Sequence, residues 1–208
     1  YIGGIDPDNV SEWTLDNGKM VKKNIDFIPG VFKCFDECIV NCRDHFIRQR
    51  QKKLDGEDVN EVTLIDIEIN RETGIITFLN DGDGVDIAMH PVHKIYIPEM
   101  IFGKLMSSSN FDKEKAKITG GKNGFGIKLV FIYSTYGKVE TLDHRRGLKY
   151  VQEFKNNLSE ICKPKVTKTK TNKSYTKIHF KLDFERFGIK NITDDIFNIF
   201  EKRAYDIA

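Results

Sequence analysis

Long apolar runs are missing from this 208-residue chain, and with them any stretch able to cross a bilayer as a helix. Tryptophan occurs once, proline five times and cysteine four times. So few cysteines, with no Cys-x-x-Cys pair, argue against a disulfide framework and against the common zinc spacings. An excess of one charge is lacking too. The 33 basic and 31 acidic side chains leave a net charge of +2, too small to argue for nucleic acid by itself. No charged-then-apolar segment of the signal type opens the sequence. It begins on Tyr1-Ile2-Gly3-Gly4 without an initiator Met, as a piece of a longer protein is expected to. What remains is an ordinary globular composition, long enough for one large domain or two small ones around a real core.

Cys34, Cys38 and Cys42 recur every four residues, which puts them on one side of a helix. They are expected as small buried hydrophobes in a reducing compartment. Lysine outnumbers arginine about threefold, and isoleucine and asparagine are plentiful, a bias that an AT-rich genome produces.

Residues 1–30 read as polar and turn-rich, ending at Pro29-Gly30. Helical spacing of Val31, Phe35, Cys38, Ile39, Cys42 and Phe46 predicts a helix to about Arg50, followed by a loop over 49–61. Alternation predicts strands over 62–69 and 74–79, with a tight turn at Asn80–Gly84. Pro98 suits the start of a short helix through Met106. A further helix is expected from about Gly124, then strands near 137–143, 148–155 and 174–182. Thr193 is placed to cap a closing helix over 194–208. This order describes an α+β two-layer sandwich, mostly antiparallel sheet with helices on one face. The lysines between Lys163 and Lys177 fit a solvated sheet edge better than a DNA patch.

The densest chemistry lies in Thr119–Lys128, where four glycines, two lysines and an asparagine fall within ten residues before an apolar run. Glycines let backbone approach a ligand closely, and a helix starting there aims its free N–H groups at an anion. A plain structural loop would carry some of the same residues. On the predicted helix over 31–50, Glu37, Asn41, Asp44 or His45, and Arg48 form one polar stripe. A solvated surface explains such a stripe unless a ligand faces it. Asn80-Asp81-Gly82-Asp83-Gly84 and Ser107-Ser108-Ser109-Asn110 add two more polar or glycine-rich blocks at the ends of regular elements.

Taken in order, Glu37…Asn41, Asn80-x-Gly82-x-Gly84 and Gly121-x-Asn123-Gly124-x-Gly126-x-Lys128 resemble the ATP-binding (Bergerat-type) fold shared by gyrase, heat-shock chaperones, MutL and histidine kinases. Asp36-Glu37-Cys38-Ile39-Val40-Asn41, Tyr96–Gly103, Ser108-Ser109-Asn110 and Thr119–Lys128 are similar to the eukaryotic-type DNA topoisomerase II branch. So are Tyr1-Ile2-Gly3 and Lys202–Asp206, which extends the resemblance over essentially the whole chain.

The resemblance implies a single ATP-binding domain over residues 1–208 that takes ATP with Mg²⁺. Glu37 would be the general base toward the γ-phosphate, and Asn41 would give Mg²⁺ a neutral oxygen. Asn80 would read the adenine edge, in the place where most of the superfamily has Asp. Ser108, Ser109 and Asn110 would contact sugar and phosphates. Lys122, Asn123, Gly124, Phe125, Gly126, Ile127 and Lys128 would form the phosphate cradle. Arg48 and Thr176 match positions that face the nucleotide, and Ile101 and Phe102 would line the base pocket. Three departures stand out: His45 replaces the usual Asn on the phosphate side, Val85-Asp86 replaces Ile-Pro, and Ile127 replaces a small Ala.

In such a family the full-length enzyme is a homodimer acting on duplex DNA, without a membrane. It passes one duplex through a double-strand break in another. The lysine expected to complete hydrolysis lies in a following transducer domain beyond Ala208. The chain alone is therefore expected to be monomeric, to bind ATP and to hydrolyse it poorly. The nucleus is the expected location, or a cytoplasmic replication site if a giant virus rather than a protist is the source. A MutL-like repair protein or chaperone, a non-hydrolysing nucleotide module and a basic DNA-binding module are the alternatives. Asn80 and Lys122–Gly126 weigh against the first, Glu37 against the second and the small net charge against the third.

Overall fold

The computed structural model describes residues 2–104 and 126–208. Its first element differs from the irregular segment expected over residues 1–30. β1 (Asp8–Asp16) and β2 (Lys19–Phe27) form an antiparallel hairpin. The turn is Asn17-Gly18 with both φ angles positive, the conformation that matches the twist of a two-residue hairpin. The Asn-Gly pair carried that signal in the sequence. The strands hid it because most of their side chains are exposed and show no apolar face.

Helix α1 runs from Pro29 to Leu54, one turn beyond the expected end. Pro29 sits at its start, where the missing N–H costs nothing, and Lys52 and Lys53 complement the dipole in its last turn. Its buried face carries Val31, Cys34, Phe35, Cys38, Ile39 and Cys42. The three cysteines are therefore core residues, as their spacing predicts. Burial pushes the Cys42 thiol up to about 11 and the other two higher still, so none is a ready nucleophile.

The main sheet is antiparallel throughout and, among the described residues, has seven strands. They are β3 (Ile65–Asn70), β4 (Ile75–Asn80), β5 (Ser134–Asp143), β6 (Leu148–Lys155), β7 (Glu160–Ile161), β8 (Lys165–Lys168) and β9 (Tyr175–Leu182). Their order is β3-β4-β9-β5-β6-β7, with β8 also paired to β6. β7 and β8 escaped the alternation pattern, the first because it is two residues long. β8 brings the lysines near 165 to a sheet edge, where charge discourages further pairing.

One sheet face is apolar. Ile76 and Phe78 on β4, Ile178 and Phe180 on β9, Val139 on β5 and Phe154 on β6 are all buried. Against that face lie α1 and α3 (Gly126–Ile132), while α4 (Asp194–Ile207) packs on α1 and on the β1–β2 hairpin and shares the same core. Phe35 of α1 stacks on Phe200 of α4 with centroids 4.1 Å apart and meets Phe78 edge-on at 5.0 Å. Thr193 caps α4 by accepting from the Ile196 N–H. A short helix, α2 (Ile97–Phe102), has Pro98 in its first turn as expected, but it ends at Phe102 with Gly103 as its C-cap, short of the expected Met106. The two-layer α+β sandwich predicted from the sequence is thus the fold observed. No described helix is long and apolar enough to cross a membrane.

Candidate functional site

Strand register assembles the centre of the site. Asn80, the last residue of β4, pairs with Thr176 on β9, which pairs with Thr141 on β5. Period-two alternation places all three on the helix-covered face, in line with Phe78, Ile178 and Val139. The Thr141 and Thr176 hydroxyls lie 3.1 Å apart. Three polar side chains thus stand side by side on a largely apolar face.

Asn80 is 6% exposed, and its environment is unusual. Its Nδ2 faces Cys42 Sγ at 3.8 Å, a weak acceptor, and its Oδ1 has no hydrogen-bond partner among the described residues. Turning the amide over would leave Nδ2 unpaired instead. Either way a buried amide is short of a strong partner, at a cost of about 1–3 kcal/mol. A ligand that presents a donor and an acceptor side by side would satisfy it.

The turn after Asn80 is fixed from several directions. Asp81 accepts from the Thr63 and Leu64 amides at 2.7 and 2.8 Å and from the Thr63 hydroxyl. Ser174 donates to the Gly82 carbonyl at 2.8 Å. The Asp83 carboxylate accepts from the Asn60 amide and from Arg145, both at 3.1 Å. Gly84 packs against the Leu142 backbone so closely that a β-carbon there would overlap the Leu142 carbonyl. Sequence reading missed Asn60, Ser174, Thr141 and Arg145. Only strand register brings these distant residues together, and no spacing encodes it.

α1 supplies the second wall. Glu37, Asn41, His45 and Arg48 are all partly buried and share its polar face. Glu37 pairs with Lys33 one turn earlier at 2.6 Å. The Asn80–Cys42 contact places this stretch of the helix against the end of β4. His45 reaches the glycine turn, its Nε2 lying 2.9 Å from the Asp83 carbonyl, and Arg48 donates to His45 Nδ1 at 2.7 Å. Burial pulls the Arg48 guanidinium below its ordinary value, with Asp44 offsetting this in part.

α3 supplies the third wall. Gly126 lies directly against the Glu37 carboxylate, a cradle that a β-carbon would fill. Ile127 and Lys128 are buried. Burial alone pulls the Lys128 ammonium below its ordinary value, with no described carboxylate to counter it. Ile101 and Phe102 belong to α2, with Phe102 in the core and Ile101 packed on it. Ser108, Ser109, Asn110, Lys122, Asn123, Gly124 and Phe125 lie outside the described residues. Of the other expected residues, Glu37 meets Gly126, Asn80 meets Cys42 and pairs with Thr176, and His45 joins Arg48 to the Asp83 turn. The Arg48 and Lys128 cations are partly or fully buried, and the Asn80 amide lacks a strong partner among the described residues.

A separate groove of about 240 Å³ runs between the β1–β2 hairpin and α4, lined by Trp13, Phe27, Phe32, Ile199 and several charged residues. It shares no lining residue with the site above. Its two cations are already paired, Arg203 to Asp36 at 2.8 Å and Lys202 to Asp206, so neither is free for an anion.

No family model matches the chain. Along its whole length it is 42% identical, over 209 residues, to DNA topoisomerase 2 of Candida glabrata. It is 41% identical, over 214 residues, to DNA topoisomerase 2 of Acanthamoeba polyphaga mimivirus. The chain spans 14% and 16% of the lengths of these two proteins. Among solved structures, the ATPase region of Saccharomyces cerevisiae topoisomerase II matches it with a TM-score of 0.86 at 42% identity. That match covers the whole chain and 53% of the yeast structure.

Proposed function

Because the chain belongs to the type II DNA topoisomerase family, matching its ATPase region throughout, we propose that it binds ATP as the ATPase domain of such an enzyme. The observation that carries this reading is the buried Asn80 amide without a strong partner. An adenine edge presents an amino donor beside a ring-nitrogen acceptor, the pattern that a carboxamide matches with two hydrogen bonds. Ile101 and Phe102 would supply the apolar side of the base pocket. Thr176 would stand beside Asn80 at the base end, and Arg48 would face the phosphates with Lys128.

Glu37 is the proposed general base. Lys33 on one side and the Gly126 backbone on the other restrict where its carboxylate can point. An attacking water would give its proton to a Glu37 oxygen as the new oxygen–phosphorus bond forms and the bond to ADP breaks. Ser108, Ser109, Asn110 and Lys122 through Ile127 are proposed phosphate and sugar contacts. When bound, Mg²⁺ would shield the triphosphate charge. Asn41 is the proposed protein ligand to it.

In the full-length enzyme, ATP would close a gate between two copies and drive passage of one DNA duplex through another. Its place would be the nucleus, or a viral replication site. The 208 residues form one domain in this account, monomeric alone, and the lysine that completes hydrolysis would come from outside them. The test is a Glu37→Ala chain extended through the following domain. Nucleotide affinity is expected to persist while turnover is lost. Loss of affinity instead would make Glu37 a structural residue and remove it from the mechanism.

A further inference from the structure

We propose that His45 is a positioning residue that ties the phosphate side of the nucleotide site to its base-reading turn, holding Arg48 through Nδ1 and the Asp83 carbonyl through Nε2. The inference rests on the nucleotide reading above. A carbonyl oxygen only accepts, so at 2.9 Å from the Asp83 oxygen His45 Nε2 must carry a hydrogen. A guanidinium only donates, so at 2.7 Å from Arg48 the His45 Nδ1 must be bare. One tautomer alone, the neutral Nε2–H form, makes both bonds.

The surroundings keep the imidazole in that state and in that place. Burial, followed by the charge of Arg48, holds its pKa down to about 4, with Lys52 acting in the same direction and Asp83 against it. Asp44 faces Arg48 from the same helix, and the Asp83 carboxylate is engaged by Arg145 and lies near His144. A β-carbon at residue 82 would come within 2.9 Å of Nε2, so the glycine lets the ring reach the turn. The partners of the Asp83 carboxylate hold its backbone still. Arg48 thus takes its direction from a ring whose other end is fixed to the turn that carries Asn80. An asparagine at position 45 is too short to span both partners, whereas glutamine has the reach and both groups.

The experiment combines two measurements on the 208-residue chain. Imidazole ¹⁵N spectra at neutral pH should show His45 as the neutral Nε2–H tautomer. Titration with a non-hydrolysable ATP analogue and Mg²⁺ should show at least about fivefold weaker binding for His45→Phe. Most of that loss should vanish in an Arg48→Ala background, and His45→Gln should bind within about threefold of the unmodified chain. An Nδ1–H tautomer would overturn the inference. So would a folded His45→Phe chain that binds like the unmodified one, or losses that add independently of Arg48. If the unmodified chain binds no analogue, the nucleotide reading itself fails and takes this inference with it. The tautomer measurement needs no variant, so a misfolded substitution does not decide the matter.

Discussion

The Gly126 backbone rests against the Glu37 carboxylate, and a β-carbon at residue 126 would overlap its Oε2 atom. The start of α3 and the polar face of α1 therefore meet at one side chain, which Lys33 grips from the other side at 2.6 Å. With glycine at 126, these two neighbours set where the carboxylate rests. A general base needs such placement, because its oxygen must sit within hydrogen-bond reach of one water.

Gly126→Ala should separate activity from stability. The atom in the way is the end of a flexible side chain, so the fold can yield by turning Glu37 aside. Melting should move little, corresponding to less than about 1 kcal/mol. Hydrolysis in a chain long enough to turn over should fall about 100-fold, the lower range of what a general base contributes. A large drop in melting temperature would show that the contact is structural.

Gly84→Ala should behave in the opposite way. Its clash is with the Leu142 carbonyl, a backbone group within a paired strand that cannot swing away. Overpacking of this kind costs about 2 kcal/mol or more, a fall of at least about 4 °C for a domain of this size. Thermal melting checks it, and an unchanged midpoint would contradict the packing described.

Asn80→Leu should stabilise the chain or leave it unchanged while weakening nucleotide binding. Replacing an under-satisfied buried amide by an apolar group of similar size removes a desolvation cost of about 1–3 kcal/mol. The same change removes the proposed adenine contact. Melting and titration on one preparation read both effects. A destabilised variant would mean that Asn80 is satisfied within the protein.

Much of this was legible in the sequence. The helix around Cys34, Cys38 and Cys42, the Thr193 cap and the turn after Asn80 are local, and local spacing shows them. The polar stripe Glu37-Asn41-His45-Arg48 was legible for the same reason, although the His45 bond to Asp83 was not. That bond, like Ser174 to Gly82 and Val85 to Thr141, joins residues about 40 to 90 positions apart. Such contacts depend on strand order and register, which no short window contains. The β1–β2 hairpin was missed for a different reason. Its strands are mostly exposed, so alternation had no apolar face to mark, and only Asn17-Gly18 announced it.

Stability should fall with acid in a defined window. An unfolded His45 takes a proton near its ordinary value of 6.5, whereas the folded one, kept neutral first by burial and then by Arg48, resists until about 4. Between those values the unfolded state binds more protons, so stability declines as pH falls, by at most about 1.4 kcal/mol per pH unit. Above 6.5 this residue adds no slope. His179, also depressed by burial, contributes in the same direction. The difference between the unmodified chain and His45→Gln therefore isolates His45 in denaturant titrations across that range. Identical slopes would mean that His45 titrates normally when folded.

The most direct test of the account is calorimetric titration of the 208-residue chain with non-hydrolysable ATP and GTP analogues in the presence of Mg²⁺. The account predicts saturable binding of one ATP analogue per chain, tighter than the GTP analogue by about tenfold or more because Asn80 reads the adenine edge. No saturable binding, or equal affinity for the two purines, would contradict it.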